Sequence, residues 1–322
     1  MNISLLFNNG KNPKWKYYLV NYLKLLIPSV YYHKKRKRLL EDFEARDDQD
    51  YILERVNYYN KLDKNTQLTH PIHLAQLKLK DVSQKVYFFD AYPILRSFPR
   101  DHLFCYAFGD VVEVPDTPSI VKSRPISDNN QNSVLLKLNK VRHFARIKKD
   151  KPFHQKKDQL VFRGKVTYKE KRKKFFEMYF DHPMCNLGDT QMKKINPDKW
   201  KVKKTSIHFL LQYKFILAIE GIDVASNLKW VMSSNSLAVM PKPEFETWFM
   251  EAKLIPDYHY VSIKSDYSDL EEKLNYYILH EDEALQIIKN ANEYVDQFWD
   301  NEREELISLL VMQKYFDNTT SQ

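Results

Sequence analysis

Residues 213–240 read YKFILAIEGIDVASNLKWVMSSNSLAVM, and this stretch decides the fold class. An apolar run at 215–219 stops just before Gly221, a helical stretch follows over 224–233, and a second apolar run occupies 236–240. Further candidate strands lie outward of it at 86–89, 103–108, 159–162 and 260–263, with candidate helices at 169–180, 244–252, 268–279 and 282–298. Strands alternating with helices argue for parallel-sheet α/β units. The Lys-rich, weakly patterned stretch 145–158 reads as a linker between two such units.

Only five glycines occur in 322 residues, so each is informative. Gly10 precedes the patterned region. Gly109, Gly164 and Gly221 each follow a predicted strand, and each has a charged residue close by, as in Phe108-Gly109-Asp110, Arg163-Gly164-Lys165 and Glu220-Gly221-Ile222-Asp223. Ligands of open α/β sheets bind beyond the strands' carboxyl ends, where glycine allows a sharp turn or a close approach. No GxGxxG and no P-loop is present, which leaves dinucleotide and kinase chemistry without support. Asp48-Gln49-Asp50 is formally a DxD, but it sits in a charged helical stretch and reads as a solvated face. Two lone cysteines, Cys105 and Cys185, cannot build a metal cluster and suit a reducing compartment. No catalytic metal is expected.

The net charge of +9 resembles a nucleic-acid signal until it is located. Residues 1–40 hold nine Lys/Arg and no acid, leaving 42 basic against 42 acidic residues over 41–322. The body is neutral overall, with a basic stretch at 137–174 and an acidic one after Pro243, so a nucleic-acid partner is not expected. The start lacks a secretory signal pattern, and no apolar run is long enough to span a membrane. Over 15–32, Leu19, Tyr22, Leu23 and Leu26 share a helical face, Pro28 breaks the helix, and His33-Lys34-Lys35-Arg36-Lys37-Arg38 follows. An anionic membrane surface suits that pattern. Packing of the same helix on its own domain suits it equally.

The strand and turn QLVFRGK (159–165), followed by a helix carrying Arg172, resembles the Arg-Gly signature of glycosyltransferase family 90. The block 213–274 resembles that family's most distinctive segment in order and spacing, and 104–126 and 132–144 resemble its bacterial branch. The resemblance covers roughly 85–320. It implies a GT-B-like α/β architecture, two Rossmann-like domains facing across a cleft, and inverting transfer from a UDP-sugar without a metal or other cofactor. Such a displacement needs one general base and a cationic hold on the departing diphosphate. Asp110, after strand 103–108, matches the family's carboxylate, with Asp116 as the fallback. Arg163, Gly164, Lys165 and Arg172 are the donor candidates around the first turn, aided by the amino terminus of the following helix. Glu220, Gly221, Ser226, Asn227 and Lys229 form the opposite wall, and Glu246 matches an acidic position that meets sugar hydroxyls. Where the animal branch has an arginine, this sequence has Asn227, which leaves the sugar open. Lys122, Arg124, Lys137, Arg142 and His143 form a cationic series suited to a phosphorylated or acidic acceptor.

The expected organisation is a basic amphipathic leader (1–40), an acceptor-side domain (41–155), a nucleotide-sugar-binding domain (156–300) and a terminal helix (301–322). The expected enzyme is a cytoplasmic glycosyltransferase at the inner face of the membrane, acting on a lipopolysaccharide-type glycolipid. Capsule or protein acceptors, and a non-catalytic membrane-surface or RNA-binding protein, are the alternatives.

Overall fold

The computed structural model describes residues 12–63, 65–191 and 195–320; Gly10 and the first eleven residues of the leader lie outside them. The chain forms two compact units. An amino-terminal unit joins Lys14–Val141 to Phe245–Met250 and Phe298–Gln322, and a central unit comprises chiefly Arg142–Glu244 and Glu251–Gln297. These boundaries differ from the sequence expectation. The described part of the leader is not separate, the change of unit falls at Val141/Arg142, and the terminal helix is built into the amino-terminal unit.

In the amino-terminal unit, helices α1 (Lys14–Leu25) and α2 (Ser29–Phe43) are divided at Pro28, which begins the second of them. Helix α3 (Gln49–Tyr59) follows. Strand β1 (Thr66–Gln67) pairs with Thr319–Thr320, and β2 (Ile72–His73) pairs antiparallel with β3 (Leu103–Ala107). Between them, residues 86–89 are not the expected strand but the middle of α4 (Lys85–Leu95). Tyr87, Phe88, Phe89, Ala91, Ile94 and Leu95 are all buried there, and a helix that is apolar on every side shows no period to separate it from a strand. Parallel to β3 run β4 (Ser119–Val121) and β6 (Ser133–Leu135). Strand β5 (Ser123–Pro125) pairs antiparallel with Phe245–Thr247, so the predicted helix 244–252 is instead a strand followed by a turn. Three residues, one half-buried and two buried, are too few there to reveal a period.

The central unit carries one five-stranded, wholly parallel sheet. Its order is Val261–Ser262, β10 (Leu237–Met240), β9 (Tyr213–Leu217), β7 (Lys157–Gly164) and β8 (Cys185–Asp189). Such sheets are buried on both faces, which explains their continuous apolar runs: every residue of β9 and of β10 is buried. Helix α5 (Glu170–Tyr179) turns Phe175, Phe176 and Tyr179 onto the sheet. Helices α6 (Leu270–Leu279) and α7 (Glu281–Asp296) follow, and α7 buries Ala284, Ile287, Ile288, Ala291 and Val295 at helical spacing behind an acidic first turn. The predicted helix 224–233 is reduced to one turn, Leu228–Val231.

The last helix, Asn301–Asp317, starts on the Asp300 side chain, which accepts from the Glu302 and Arg303 amides. It carries Glu304 into the amino-terminal unit, where that carboxylate meets Arg55 at 2.5 Å, Lys137 at 2.8 Å and the Trp248 indole N–H at 2.6 Å. Burial pushes the Glu304 carboxyl up, but Lys137 and Arg55 outweigh it and hold it below the ordinary carboxylate value. Burial lowers the Lys137 ammonium to about 8 against the opposing pull of Glu304. Glu304→Gln should therefore destabilise the protein by about 3–5 kcal/mol in denaturant titration, because two buried cations lose their shared partner. The depressed Glu304 pKa contributes stability above its ordinary value of 4.5, lost as pH falls through the folded value. The wild-type chain should show a component of acid destabilisation that Glu304→Gln lacks.

Candidate active site

The site expected at the strand tips of the central unit has Arg172 at its middle. From α5 its guanidinium donates to the Ile219 carbonyl at 3.0 Å, the Glu220 carbonyl at 3.1 Å and the Lys165 carbonyl at 2.9 Å. One side chain thus braces the turns that follow β7 and β9. Burial, and then the neighbouring Arg142, lower its pKa to about 10. Gly221 makes the approach possible: a Cβ there would lie 3.1 Å from the Arg172 Nη2. Gly164 is needed for a different reason, since its Cβ would fall 2.6 Å from the Phe162 ring, over which Arg172 also sits at 5.4 Å. Gly109 differs from both, as an added Cβ would meet nothing within 4 Å.

Lys165 is exposed beside Gly164, and Arg142 is exposed close to Arg172. Glu220 accepts from Lys171 at 2.7 Å and from the Glu244 amide at 2.9 Å, and Lys171 also meets Glu244 at 2.7 Å. Lys171 is thus a tether between two turns. Ser226 is half-buried after the β9 turn, and Asn227 donates to the Leu217 carbonyl at 2.9 Å, fixing the end of β9.

Two expected donor cations turn out to serve the fold. Arg163 donates to the Asn186 backbone at 2.7 Å and side chain at 2.5 Å, lies 5.1 Å from the Phe209 ring centre, and has its pKa lowered by burial. Lys229 is buried against the equally buried Glu251. Glu246 belongs to the amino-terminal unit rather than the donor unit. It faces Arg124 across the β5 pairing, is held at 2.8 Å by the Arg124 Nε, and accepts from Tyr58.

The expected acceptor series does not form one surface. Lys122, Arg124 and Lys137 are buried, and each is matched to a carboxylate: Asp110 at 2.7 Å, Glu246 at 2.8 Å and Glu304 at 2.8 Å. The apolar runs around these cations draw them inside, where a charge requires a partner. Arg142 and the buried His143 lie in the central unit. Part of the basic stretch 137–174 is likewise paired, Lys156 with Asp150 in the interior and Arg146 with Asp296 at the surface. That reduces the charge a nucleic-acid backbone would meet.

Asp110 follows β3, with its side chain 30% exposed and Lys122 on its Oδ1, so the carboxylate is oriented yet reachable. Asp116 lies exposed on a loop, where its carbonyl accepts from Asn132. Asp48, of the rejected DxD, pairs with Arg46 and Arg303. Among the described residues, no group of three or more His, Cys, Asp or Glu could hold a metal ion.

The sequence reading missed Gly188-Asp189, the fourth glycine–charge pair at a strand end. Its strand, CNLGD, lacks the continuous apolar run used to find the others. Gly188 leaves room for the Arg163 stem, and the buried Asp189 accepts from the Val166 and Gln191 amides and from Asn196, pinning the turn beyond β7.

The family model described as glycosyl transferase family 90 matches residues 134–316. The chain is 40% identical over 309 residues to the O-glucosyltransferase LpsA of Dichelobacter nodosus, an alignment covering 94% of this chain and 95% of that one.

The two tight glycines should separate in experiment. Gly164→Ala forces methyl against a buried ring and should cost about 1–3 kcal/mol of stability by denaturant titration. Gly221→Ala meets the movable end of a side chain, so it should cost less stability yet reduce turnover more, because it displaces Arg172.

Proposed function

The chain belongs to glycosyltransferase family 90, and from that premise we propose that it is an inverting, metal-independent, GT-B-type enzyme moving a sugar from a UDP-sugar onto a lipopolysaccharide-type glycan. The observation that carries this reading is the cationic strand-tip cluster of the central unit, where Arg172 lies against Gly221, bridges to the Lys165 backbone and feels the charge of Arg142. A departing diphosphate needs charge compensation, and three cations beside bare backbone supply it in the place where open α/β sheets hold phosphates. Arg172 is the positioning group, because its donors are engaged with carbonyls, while Lys165 and Arg142 are the exposed contacts.

Asp110 acts as general base. Its carboxylate takes the proton of the acceptor hydroxyl, and the freed oxygen attacks the anomeric carbon from the face opposite the leaving group. The bond to the β-phosphate oxygen breaks, its electron pair departs with UDP, and the anomeric configuration inverts. Lys122 fixes the orientation of the base through Oδ1. The name of the relative, an O-glucosyltransferase called LpsA, favours glucose as the sugar and a lipopolysaccharide-type acceptor presented at the inner face of the membrane.

UDP should raise the melting temperature of the protein, as any ligand bound by the native state alone does. Asp110→Asn should reduce transfer by roughly 10²–10⁴-fold while UDP affinity stays unchanged. Lys165→Ala and Arg142→Ala should each weaken UDP binding about tenfold, as loss of one charge-assisted hydrogen bond does. Turnover by Asp110→Asn within tenfold of wild type would assign the base elsewhere.

A further inference from the structure

Helix α1 wears its apolar face outward. Trp15, Leu19, Leu23 and Leu26 recur at helical spacing and are 58, 53, 56 and 79% exposed, whereas Asn21 on the opposite side is 7% exposed. Polar and aromatic contacts hold this orientation. The Tyr17 hydroxyl donates to the buried Asp90 carboxylate at 2.8 Å, Asn21 donates to the Tyr17 carbonyl at 2.8 Å, and Tyr17, Tyr18 and Tyr22 meet the Phe89 ring edge-on. Asp90 is itself fixed by the Lys140 amide at 2.8 Å. The leucines are therefore left out of the core by a specific docking arrangement. Beyond Pro28 the row continues through Val30 and Tyr31, 60 and 52% exposed.

Charge accompanies this face. Lys16 and Lys24 are exposed on α1, and Lys34 is exposed one turn after Val30. Elsewhere in the cluster at 33–38, Lys35 meets Glu305 at 2.6 Å, Arg38 meets Glu302 at 2.9 Å and Arg36 lies over the Phe98 ring at 4.2 Å, while Lys37 stays exposed beside Glu41. The sequence alternatives thus divide between the two helices, with α2 packed on its own unit and α1 presenting its apolar row. Soluble monomers rarely expose a continuous apolar row, and such rows rimmed by polar residues mark interaction surfaces. At 12 residues α1 is too short to span a bilayer but suits its interface.

We propose that α1 and the first turn of α2 form a foot lying in the headgroup layer of an anionic bilayer. Leu19, Leu23 and Leu26 enter the acyl boundary, Trp15 sits at the headgroup level, and Lys16, Lys24 and Lys34 meet the lipid phosphates. This reading rests on the face alone and holds whether or not sugar transfer is confirmed.

Vesicles of equal parts phosphatidylglycerol and phosphatidylcholine test it with the full-length chain. The wild-type protein should sediment with them far more than with pure phosphatidylcholine, with tryptophan emission shifting to the blue, and Trp15→Phe should abolish that shift. Leu19→Glu/Leu23→Glu should weaken partition about a hundredfold, since two buried leucines are lost. Lys16→Glu/Lys24→Glu, or added salt, should weaken it about tenfold. Both double variants should keep the wild-type melting temperature, because the altered side chains are exposed. Absence of wild-type partition, unchanged partition in the leucine variant, or a dimer that this variant converts to monomer without any lipid affinity would each overturn the proposal.

Discussion

Arg172 joins the carbonyl ends of two parallel strands, and the link between the turns after β7 and β9 runs through its guanidinium. The carbonyls of Ile219, Glu220 and Lys165 would otherwise lie as unpaired acceptors where the sheet stops. One guanidinium satisfies all three, and its planar fork suits the task better than an ammonium would. The same contact draws a buried positive charge to the place where an anionic ligand would lie. Lys165 and Arg142 remain at the surface.

Placement of the cations follows a simple division. Those flanked by apolar sequence, Lys122, Arg124, Lys137 and Lys229, are carried inside and meet Asp110, Glu246, Glu304 and Glu251, the Glu304 carboxylate also holding Arg55. Those in turns stay outside. A cationic series in the sequence therefore separates into girders and contacts according to its neighbours. Removing Arg124, Lys137 or Lys229 takes a charged partner away from a buried carboxylate, so loss of activity on mutating one of them would report on folding as much as on chemistry.

The central sheet was legible because its strands are buried on both faces. The runs at 215–219, 236–240 and 159–162 locate three of them to within a few residues. The amino-terminal unit was less so. Its strands are two to five residues long, too short to display a period, and the apolar run 86–89 lies in a helix. Of the site, Gly164, Gly221 and Arg172 could be located from strand-end glycines and the family pattern. The inward turn of Arg163 could not, because it depends on Asn186 and Gly188 in a strand that carries no sequence signature. Arg142 was expected on the acceptor side, since nothing in the sequence marks the change of unit at Val141.

The interleaved connectivity has a consequence for how the chain is made. The core of the amino-terminal unit includes Leu306, Ile307, Leu309, Val311, Met312 and Tyr315, which are made only after residues 142–297. Residues 142–297 can complete the central unit while the first 141 still await their final helix. Assembly therefore reverses the usual vectorial order, and the half synthesised first is the half that closes last. Until then, Arg55 and Lys137 lack the Glu304 carboxylate that the last helix brings to both of them.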